Sequence, residues 1–511
     1  MLAKVKSFTL NGVDGYGVDV EVDINSGLPN VDMVGLPSTA TKESKERIRS
    51  AIKNSGFLYP IKRITINLAP ADTKKEGPGF DLSIAVAILA ASEQVLNENY
   101  KDYVFLGELS LDGKLREVCG VMPILISATQ SGVTKFIVPA GNAKEASYIE
   151  GIEVYAVEDL RAVIDYLNGL RPIQSVPKTL YNSSLKKTEY EVDFSDIKGQ
   201  ITAKRALEIA VSGGHNVLMI GPPGAGKTML ARCVPTIMPD MSFKEAIEVT
   251  KIHSIAGVLD SEDGIVTSRP FRTPHHTTTV PSLIGGGAKA KPGEVSLAHN
   301  GVLFLDEMPE YPRHTLETLR QPIEDKCVTV SRVAKTVEYP ANFMLIASMN
   351  PCPCGNYGSK TAECRCTASQ IHNYLSKLSG PLLDRIDIQI EVDNITYEEF
   401  NDKSTFETSE TIKARTNKTR SVQLDRFKGT KITSNAQMSN AQLKKFCEVD
   451  ETCENLLERA FKKLNLSARA TTRILKVART IADMEGEENI SAGHIAEAIQ
   501  YRSLDRKYND R

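Results

Sequence analysis

The sequence predicts an α/β protein of several domains, in which two α/β units precede a helical C-terminal region. Its 511 residues are too many for one hydrophobic core, and this length alone suggests about three domains. An apolar run, a glycine-rich turn and a helical pattern follow one another in NVLMIGPPGAGKTMLARCV, residues 216–234, as in a strand–loop–helix unit. Beyond residue 395 the sequence has helical periodicity and little strand signal.

Domain boundaries are predicted from changes in composition along the chain. Residues 1–171 form a first α/β unit, whose segment 79–94 has helical length and a continuous apolar face. Residues 172–192 contain prolines and serines without periodicity, which is typical of a linker. The second α/β unit is predicted to span residues 193–395, and a helical lid to span residues 396–511.

Composition restricts the class of protein. The chain has 62 basic and 64 acidic residues, so a nucleic acid would have to bind to local basic patches. It contains no run of about eighteen apolar residues, and its first residues lack the apolar stretch of a signal peptide, so we expect neither a membrane span nor a leader. Its nine cysteines are an odd number, unlike a secreted disulfide scaffold, and favour the reducing cytoplasm.

A nucleotide-binding loop is predicted between the apolar run and the helix of residues 216–234. The loop satisfies the pattern G-x-x-x-x-G-K-[ST] and consists of Gly221, Pro222, Pro223, Gly224, Ala225, Gly226, Lys227 and Thr228. Glycines allow backbone N–H groups to surround a phosphate at the positive end of the helix. Lys227 is expected to reach the β- and γ-phosphates of ATP, and Thr228 to bind Mg²⁺.

A second motif, GVLFLDEM, supports this interpretation. Four apolar residues form a predicted buried strand that ends in Asp306 and Glu307. Asp306 is expected to hold Mg²⁺ directly or through water, and Glu307 to orient or deprotonate the attacking water. An apolar strand that ends in two acids is weak evidence alone, but it is strong evidence after a glycine-rich phosphate loop.

Two later positions resemble functional residues of AAA+ ATPases. The apolar segment NFMLIASMN ends in Asn350, which matches the sensor 1 amide that contacts the γ-phosphate or the water. In GPLLDRIDIQIEV, Arg385 stands where this superfamily has an arginine finger, which reaches the ATP of a neighbouring subunit. The alternatives are a turn or capping asparagine, and an arginine in a salt bridge with Asp384 or Asp387.

The helical segment LSARATTRILKVARTIADMEG is expected to carry the sensor 2 arginine of an AAA+ lid. Its arginines are Arg469, Arg473 and Arg479. The resemblance favours Arg469 over Arg473, and the helical periodicity does not decide between them.

The region around the two nucleotide motifs resembles the magnesium-chelatase-like AAA+ branch, which includes the mini-chromosome-maintenance helicases. The residues that carry this likeness are RPFRTPHHTTTVPSLIGGG and KPGEVSLAHNGVLFLDE. A hairpin before sensor 1 is typical of the branch, and CVTVSRVAKTVEYP has this pattern, with Arg332 and Lys335 at the turn. The resemblance implies that this basic tip projects into a ring pore and contacts DNA. The alternative is two solvated hairpin charges.

The N-terminal unit resembles the Lon protease domain. GELSLDGKLREVCG is similar to a conserved Lon stretch, and KKEGPGFDLSIAVAIL occupies the place of the segment with the Lon nucleophile. This chain has Gly79 in place of the nucleophilic serine and Met122 in place of the lysine base. Because a serine–lysine dyad requires both members, we expect a Lon-type fold without proteolysis.

A Lon-like domain fused to a chelatase-like AAA+ core is similar to the ComM/YifB family. The motifs VGLP, FRTPHH, AHNGVLFLDE, NPCPCG, GPLLDRID and SARATTRILKVARTIAD support this resemblance over essentially the whole chain. The resemblance implies a cytoplasmic, hexameric, helicase-like motor that acts on single-stranded or branched DNA. It also implies branch migration of recombination intermediates during natural transformation, with recombination proteins as further partners.

Four cysteines, Cys352, Cys354, Cys364 and Cys366, form two C-x-C pairs in a loop-like segment. Together they could close a tetrahedral Zn–S₄ site, although C-x-x-C is the usual structural spacing. A structural Zn²⁺ would order a loop that has little apolar anchorage. The alternatives are four free thiols and a redox pair.

Two other polar clusters each have two interpretations. His275 and His276 lie in a threonine-rich loop, and we favour a polar element facing a pore or an interface over a metal site. Residues 413–431 carry seven basic residues, which could bind phosphates or could be the solvated charges of a lid helix. No aromatic residues alternate with these charges, so a base-stacking platform is not expected.

Three other functions fit the sequence less well. A chelatase motor acting on a protein partner would not be expected to carry a Lon-like domain. A transcription activator of the sigma-factor type would need a G-A-F-T-G-A loop, which is absent between the two nucleotide motifs. An ATP-dependent protease would need the residues that Gly79 and Met122 replace.

Overall fold

The chain folds into two compact units. The computed structural model describes residues 1–71, 75, 79–184, 190–287, 290–332, 335–358, 363–401, 406–464 and 466–502. The first unit comprises Met1–Lys186, Phe243–Thr267 and Val337–Tyr339, and the second comprises Lys187–Ser242, Ser268–Thr336 and Pro340–Arg511. Residues 243–267 lie inside the range 193–395 predicted for the second α/β unit, but they belong to the first unit.

The first unit is an α/β structure around a mixed sheet. Its strands are β1 (Leu2–Asn11), β2 (Asp14–Asn25), β3 (Asn30–Val34), β4 (Arg63–Ala69), β5 (Tyr103–Phe105), β6 (Glu108–Leu109), β7 (Leu115–Arg116), β8 (Lys135–Pro139) and β9 (Glu153–Val157). Its helices are α1 (Thr39–Asn54), α2 (Asp81–Ala91), α3 (Val121–Gln130), α4 (Ala143–Ala146), α5 (Leu160–Leu167), α6 (Tyr181–Ser184) and α9 (Phe243–Ala256).

The sheet of the first unit has the order β3-β4-β2-β1-β5-β8-β9. Strands β1 and β2 form an antiparallel hairpin, and β5, β8 and β9 continue the sheet in parallel. Every residue of α2 is buried, which agrees with the continuous apolar face predicted for residues 79–94. A helix that is predominantly apolar on all its faces is stable only inside a protein core.

The second unit contains a parallel sheet and most of the helices. Its strands are β10 (Val217–Ile220), β11 (Phe271–Arg272), β12 (Gly285–Gly286), β13 (Lys291–Pro292), β14 (Val302–Leu305), β15 (Cys327–Arg332), β16 (Lys335–Pro340), β17 (Met344–Met349) and β18 (Ile388–Glu391). Its helices are α7 (Ile201–Gly213), α8 (Lys227–Ile237), α10 (Val280–Ile284), α11 (Glu294–Leu297), α12 (Arg313–Glu317), α13 (Arg320–Asp325), α14 (Ala368–Leu375), α15 (Gly380–Leu383), α16 (Tyr397–Asn401), α17 (Ser409–Arg426), α18 (Asn440–Phe446), α19 (Glu451–Leu464), α20 (Ala468–Glu485) and α21 (Ala492–Gln500).

The main sheet of the second unit has the order β11-β14-β17-β10-β18, with all neighbours parallel. Strands β10, β14 and β17 are completely buried, as expected for a parallel sheet covered on both faces. Strands β17 and β18 pair with opposite sides of β10, so the chain crosses from one side of β10 to the other between these two strands. In open parallel sheets, ligands bind beyond the carboxyl ends of the strands at such a point.

The helical C-terminal region shares one hydrophobic core with this sheet. Ile412, Leu457, Ile474 and Ile495 belong to the same buried cluster as residues of β10 and β18. The predicted α/β class, the parallel sheet and the helical C-terminal region are thus confirmed. Among the described residues, no helix combines the length and the apolar character needed to cross a membrane.

Candidate nucleotide-binding site

The glycine-rich loop connects the carboxyl end of β10 to the first residue of α8. A Cβ atom on Gly221 would lie 2.1 Å from the Val392 carbonyl oxygen, so only glycine fits there. Gly226 has a φ of 88°, a left-handed conformation that glycine adopts without strain. The loop therefore leads directly into a helix N-terminus, where free N–H groups and the helix dipole favour a phosphate.

The Lys227 side chain reaches from the first residue of α8 back into this loop and is largely buried. Its Nζ donates hydrogen bonds to the Gly221 carbonyl at 2.7 Å and the Pro222 carbonyl at 2.9 Å. A third bond runs to the Asn350 Oδ1 at 3.1 Å. Burial lowers the pKa of the ammonium group, and the negative charges of Asp306 and Glu307 oppose this effect. The predicted phosphate-binding lysine and sensor asparagine are therefore in direct contact.

Asp306 follows β14 and meets two hydroxyl groups. The Thr228 Oγ1 donates to its Oδ2 at 2.8 Å, and the Ser348 Oγ donates to its Oδ1. Threonine hydroxyl and aspartate carboxylate are hard oxygen donors, which are the ligands that Mg²⁺ prefers. This donor set fits the predicted magnesium site at the end of the phosphate loop.

Glu307 has an exposed side chain on a left-handed backbone with a φ of 51°. Its N–H donates to the Asp306 Oδ1 at 3.1 Å and to the Ser348 Oγ at 3.2 Å. A positive φ is uncommon for a residue other than glycine, and such conformations cluster at functional sites. The turn leaves the Glu307 carboxylate exposed next to Asp306, where it could contact a water molecule beside the predicted magnesium site.

Parallel register brings these residues together. Met349 of β17 pairs with Ile220 of β10, and Leu305 of β14 pairs with Ala347 of β17. The carboxyl ends of the three strands therefore lie at one edge of the sheet. Lys227, Thr228, Asp306, Glu307 and Asn350 all follow these ends, so the structure brings these five predicted site residues together.

Arg385 lies at the opposite edge of the sheet. It precedes β18, whose Ile388 pairs with Val217 at the start of β10, and its carbonyl accepts a bond from the Asn216 Nδ2 at 3.0 Å. Strand β10 has four residues, so the two edges are roughly 13 Å apart at about 3.3 Å per residue. The structure thus does not bring Arg385 to the phosphate loop of its own subunit.

The Arg385 guanidinium is largely buried against Glu324. Its Nη2 lies 2.7 Å from the Glu324 Oε2, and its Nη1 donates to the Pro381 carbonyl at 2.5 Å. The alternative to an arginine finger was a salt bridge between Arg385 and Asp384 or Asp387. The observed partner is instead Glu324 of α13. Arg385, together with the charges of Arg469 and Arg473, lowers the pKa of the Glu324 carboxyl.

Of the three sensor 2 candidates, Arg469 and Arg473 lie at the same edge as Arg385, and Arg479 forms an ion pair with the buried Asp483 at 3.0 Å. Arg473 forms an ion pair with Asp387, which also accepts a bond from the Asn216 N–H at 2.9 Å. Burial raises the pKa of Asp387, but Arg473, His215 and the Asn216 N–H together hold it well below its usual range. Arg469, one turn earlier on α20, is exposed. Neither arginine lies at the carboxyl edge that carries the phosphate loop.

The predicted hairpin is formed by β15 and β16. β15 ends at Arg332 and β16 begins at Lys335, so both residues flank the turn. The turn itself and the side chains of Arg332 and Lys335 lie outside the described residues. After β16 the chain passes through residues 341–343 into β17, so the hairpin is joined to the strand that ends at Asn350.

The four predicted metal ligands lie together. The Sγ atoms of Cys352, Cys354, Cys364 and Cys366 all lie within 4.8 Å of one another. The Cys352 Sγ lies 3.4 Å from the Cys354 Sγ and 3.7 Å from the Cys364 Sγ, and the last two atoms are 3.6 Å apart. These distances are close to the edge of about 3.8 Å for a tetrahedron with Zn–S bonds of about 2.3 Å. Backbone N–H groups of Asn356 and Arg365 lower the pKa of Cys354 to about 6, whereas burial and the neighbouring sulfurs raise the pKa of Cys364 and Cys366.

No comparable metal cluster forms around the adjacent histidines in the described part of the chain. The rings of His275 and His276 lie 4.0 Å apart, and His276 meets the edge of Tyr311. The His275 Nδ1 lies 2.9 Å from the Thr277 hydroxyl. These contacts agree with a polar structural element.

Most of the identified partners of the basic segment 413–431 are acids of the same unit. Arg415 contacts Glu208 and Glu407, each at 2.6 Å, and Lys413 contacts Asp240 at 2.7 Å. Arg426 forms an ion pair with the buried Asp483 at 2.5 Å. These pairs favour the interpretation as a lid helix whose charges hold the structure together.

Three residues that sequence reasoning missed support the site. Ser348 binds Asp306 and Glu307, as described above, and the hydroxyl of buried Tyr374 lies close to the backbone N–H of Asn350. The Gln200 Nε2 donates to the Ala225 carbonyl of the phosphate loop at 3.4 Å and to the Asp393 carbonyl at 2.6 Å. The sequence signals that could have indicated Ser348 and Gln200 are a serine inside an apolar strand and a Gly-Gln pair before α7.

The Lon-like positions lie in the first unit. Met122 is buried on α3, and its N–H donates to the Glu145 Oε1 at 2.9 Å. Gly79 has no atom within 4 Å of the place where a Cβ would stand. Neither position supplies a nucleophile or a base.

Comparison with known proteins identifies the family. Residues 193–400 match the model "Magnesium chelatase, subunit ChlI", residues 20–142 match "Subunit ChlI of Mg-chelatase", and residues 406–502 match "Magnesium chelatase, subunit ChlI C-terminal". Competence protein ComM of Haemophilus influenzae is 43% identical over 99% of this chain and 98% of its own length. The protein YifB of Escherichia coli is also 43% identical, over 97% of this chain and 96% of its own length.

A more distant likeness concerns the Lon proteases. Lon protease 2 of Bacillus subtilis is 26% identical over 33% of this chain and 34% of its own length. The identity to ComM and YifB covers nearly the whole of each chain, and the nucleotide motifs lie on the parallel sheet that such ATPases require. The chain therefore belongs to the ComM/YifB family of magnesium-chelatase-like AAA+ proteins.

Proposed function

We propose that this chain is an ATP-driven, hexameric DNA motor of the cytoplasm that carries out branch migration on recombination intermediates. The observation that carries the proposal is the contact between Lys227 and Asn350, at the end of the strand that follows the hairpin. A motor needs such a connection between the phosphate site and the part that moves. The relative from Haemophilus influenzae is named a competence protein, and we extend that association to this chain.

ATP hydrolysis is assigned to the carboxyl edge of the parallel sheet. The N-terminus of α8 and Lys227 hold the phosphates, while Thr228 and Asp306 hold Mg²⁺. When bound there, Mg²⁺ would neutralise charge on the phosphate oxygens. Glu307 orients the attacking water and accepts its proton, and Asn350 contacts the γ-phosphate or the water.

Arg385 is assigned to the ATP of a neighbouring subunit. Its position at the amino edge of the sheet prevents it from reaching its own phosphate loop, so a ring of subunits gives it a nucleotide to contact. Arg469 is exposed beside the same carboxylate, Glu324, and we assign it to the same interface. Positive charge from these side chains would stabilise the transition state.

The hairpin of β15 and β16 is assigned to DNA. Six copies would present Arg332 and Lys335 around a central axis, where a phosphate backbone would pass. Since the hairpin leads into β17, a change in nucleotide state at Asn350 can displace it. Recombination proteins are further proposed partners.

Replacing the two basic residues of the hairpin should separate ATP hydrolysis from DNA action. We expect Arg332→Ala/Lys335→Ala to keep basal ATP turnover and hexamer formation but to lose DNA stimulation and unwinding. Each lost phosphate contact lowers the salt slope of binding by about one. Fluorescence anisotropy with labelled DNA at several salt concentrations, together with an unwinding assay, measures both effects.

A matched control removes the same charge elsewhere. Lys53 and Lys62 are exposed residues of the first unit, so Lys53→Ala/Lys62→Ala should leave DNA binding unchanged. If the hairpin variant unwound branched DNA at the normal rate, the hairpin would be a passive surface loop. The segment 413–431 would then be the next candidate for DNA contact.

We also propose that Cys352, Cys354, Cys364 and Cys366 hold a structural Zn²⁺. Their Sγ spacing matches a tetrahedral sulfur site, and the segment between Pro351 and Thr367 has no helix or strand in its described residues. Protein purified without chelator should contain about one zinc per chain by elemental analysis. Metal-free protein from such a preparation would refute the assignment and favour free thiols.

A second candidate function is a chelatase-type motor that remodels a protein partner. It is favoured by the three matching chelatase models, and by a chloroplastic magnesium-chelatase subunit of Glycine max that is 22% identical over 73% of this chain. A motor of this kind would hydrolyse ATP at a rate that DNA does not change. DNA-dependent stimulation therefore distinguishes the two functions.

A further inference from the structure

We propose that the four-cysteine cluster is a metal-dependent control of ATP hydrolysis, in which bound Zn²⁺ holds both the phosphate loop and Asn350 in position. The cluster reaches the nucleotide site by three separate routes within the second unit. The inference rests on the proposed ATP hydrolysis, and it assigns to the metal a role beyond local folding of its own loop.

The first route is covalent. Only Pro351 separates Asn350 from Cys352, whose side chain is completely buried. Proline has a nearly fixed φ, so a displacement of the Cys352 sulfur is transmitted to Asn350 with little loss in the chain between them. Asn350 in turn contacts the Lys227 ammonium at 3.1 Å.

The second route is a contact with the phosphate loop. A Cβ atom on Gly355 would lie 2.4 Å from the Pro223 Cδ, so the backbone of the cysteine loop packs directly on that loop. Gly355 also has a φ of 82° and donates its N–H to the Cys352 carbonyl at 3.0 Å. The turn that carries the ligands Cys352 and Cys354 is therefore the turn that rests on Pro223.

The third route runs through α14. Cys366 directly precedes Thr367, which caps this helix by accepting a bond from the Gln370 N–H at 3.3 Å. The helix carries the buried Tyr374, whose hydroxyl lies close to the backbone N–H of Asn350. Both ends of the cysteine segment therefore lead back to the sensor asparagine.

A metal ion is the natural source of order for this arrangement. The cysteine sulfurs contact one another, and the Tyr357 N–H donates to the Cys352 Sγ at 3.3 Å. Metal coordination supplies folding free energy in segments of this kind, which have few apolar contacts of their own. Without the ion, the turn against Pro223 and the position of Asn350 lose the constraint that joins them.

The two cysteines outside the turn that packs on Pro223 provide the test. Cys364→Ser/Cys366→Ser should lose zinc and reduce ATP turnover by about tenfold to a hundredfold, since misplacement of a catalytic group by about 1 Å has an effect of this size. Cys119→Ser, which removes an exposed thiol of the first unit, should change neither zinc content nor turnover. Binding of a fluorescent ATP analogue should weaken less than turnover falls, because the contacts of Lys227 within the phosphate loop remain.

Reversible metal removal from the full-length wild-type chain protects the test against misfolding. A zinc-selective chelator, followed by exchange into Mg²⁺ buffer, should lower turnover to the level of the double variant. Added Zn²⁺ should restore it, with far-ultraviolet circular dichroism unchanged throughout. Zinc-free, folded protein with normal turnover would overturn the inference, as would a double variant that keeps its zinc.

The same experiment separates this inference from the proposed function. Zinc-loaded wild-type protein that hydrolyses no ATP would contradict the proposed motor. In that case the binding of the ATP analogue still reports whether zinc positions the phosphate loop. Equal analogue affinity with and without zinc, in protein without turnover, would refute the inference as well.

Discussion

Lys227→Ala is expected to abolish ATP turnover. The Nζ of Lys227 is the donor at the centre of the phosphate loop, where it contacts Gly221, Pro222 and Asn350. Loss of one preorganised donor to a developing negative charge typically lowers the rate by about a hundredfold or more. A phosphate-release assay measures the effect, and Lys244→Ala, which removes an exposed lysine of α9, is the matched control.

Glu307→Gln tests water activation separately from the binding of the phosphates. The exposed Glu307 carboxylate is proposed to activate water and lies outside the phosphate loop, so this variant should bind ATP normally and remain in an ATP-bound ring. Nucleotide retention on a gel-filtration column reports the trapped state. Turnover at the wild-type rate in Glu307→Gln would disprove the assignment of the base.

Arg385→Ala is expected to lower ATP hydrolysis by about a thousandfold while nucleotide affinity changes little. The reason is geometric, because Arg385 lies at the amino edge of the sheet and leaves the pocket of its own subunit intact. Mixing Arg385→Ala with Lys227→Ala subunits should restore part of the activity. Some interfaces in such mixed rings regain one intact pocket and one intact finger.

The ion pair with Glu324 supplies the control for this prediction. Glu324→Gln removes the negative charge that holds Arg385 but keeps the arginine itself. A finger acting across an interface should tolerate this change, whereas a purely structural arginine should fail in both variants. Absence of recovery in every mixture, together with inactivity of Glu324→Gln, would contradict the role across the interface.

The residues at the carboxyl edge of the sheet could be predicted because their signals are local. A strand, a glycine-rich turn and a helix define the place of Lys227, and an apolar strand that ends in two acids defines Asp306 and Glu307. Once the sheet is parallel, strand register places these residues together. The two C-x-C pairs were likewise sufficient to predict that four sulfurs meet.

Long-range contacts were beyond the reach of the sequence. Arg385 pairs with Glu324 of α13, and Asp387 pairs with Arg473 of α20. The members of each pair lie far apart in the sequence, so no local pattern predicts either contact. The same holds for the packing of Gly355 on Pro223, which depends on backbone conformation and close approach. The membership of residues 243–267 in the first unit also follows from tertiary packing and not from a change in composition.

The rate of ATP hydrolysis by the wild-type chain, measured without DNA and with single-stranded, duplex or branched DNA, tests the central proposal most directly. A DNA motor should hydrolyse ATP several times faster with single-stranded or branched DNA. This stimulation should decrease as salt is raised, because phosphate contacts release bound counterions. Equal rates under all four conditions, from protein that hydrolyses ATP, would contradict the proposal and favour a chelatase-type motor that acts on a protein partner.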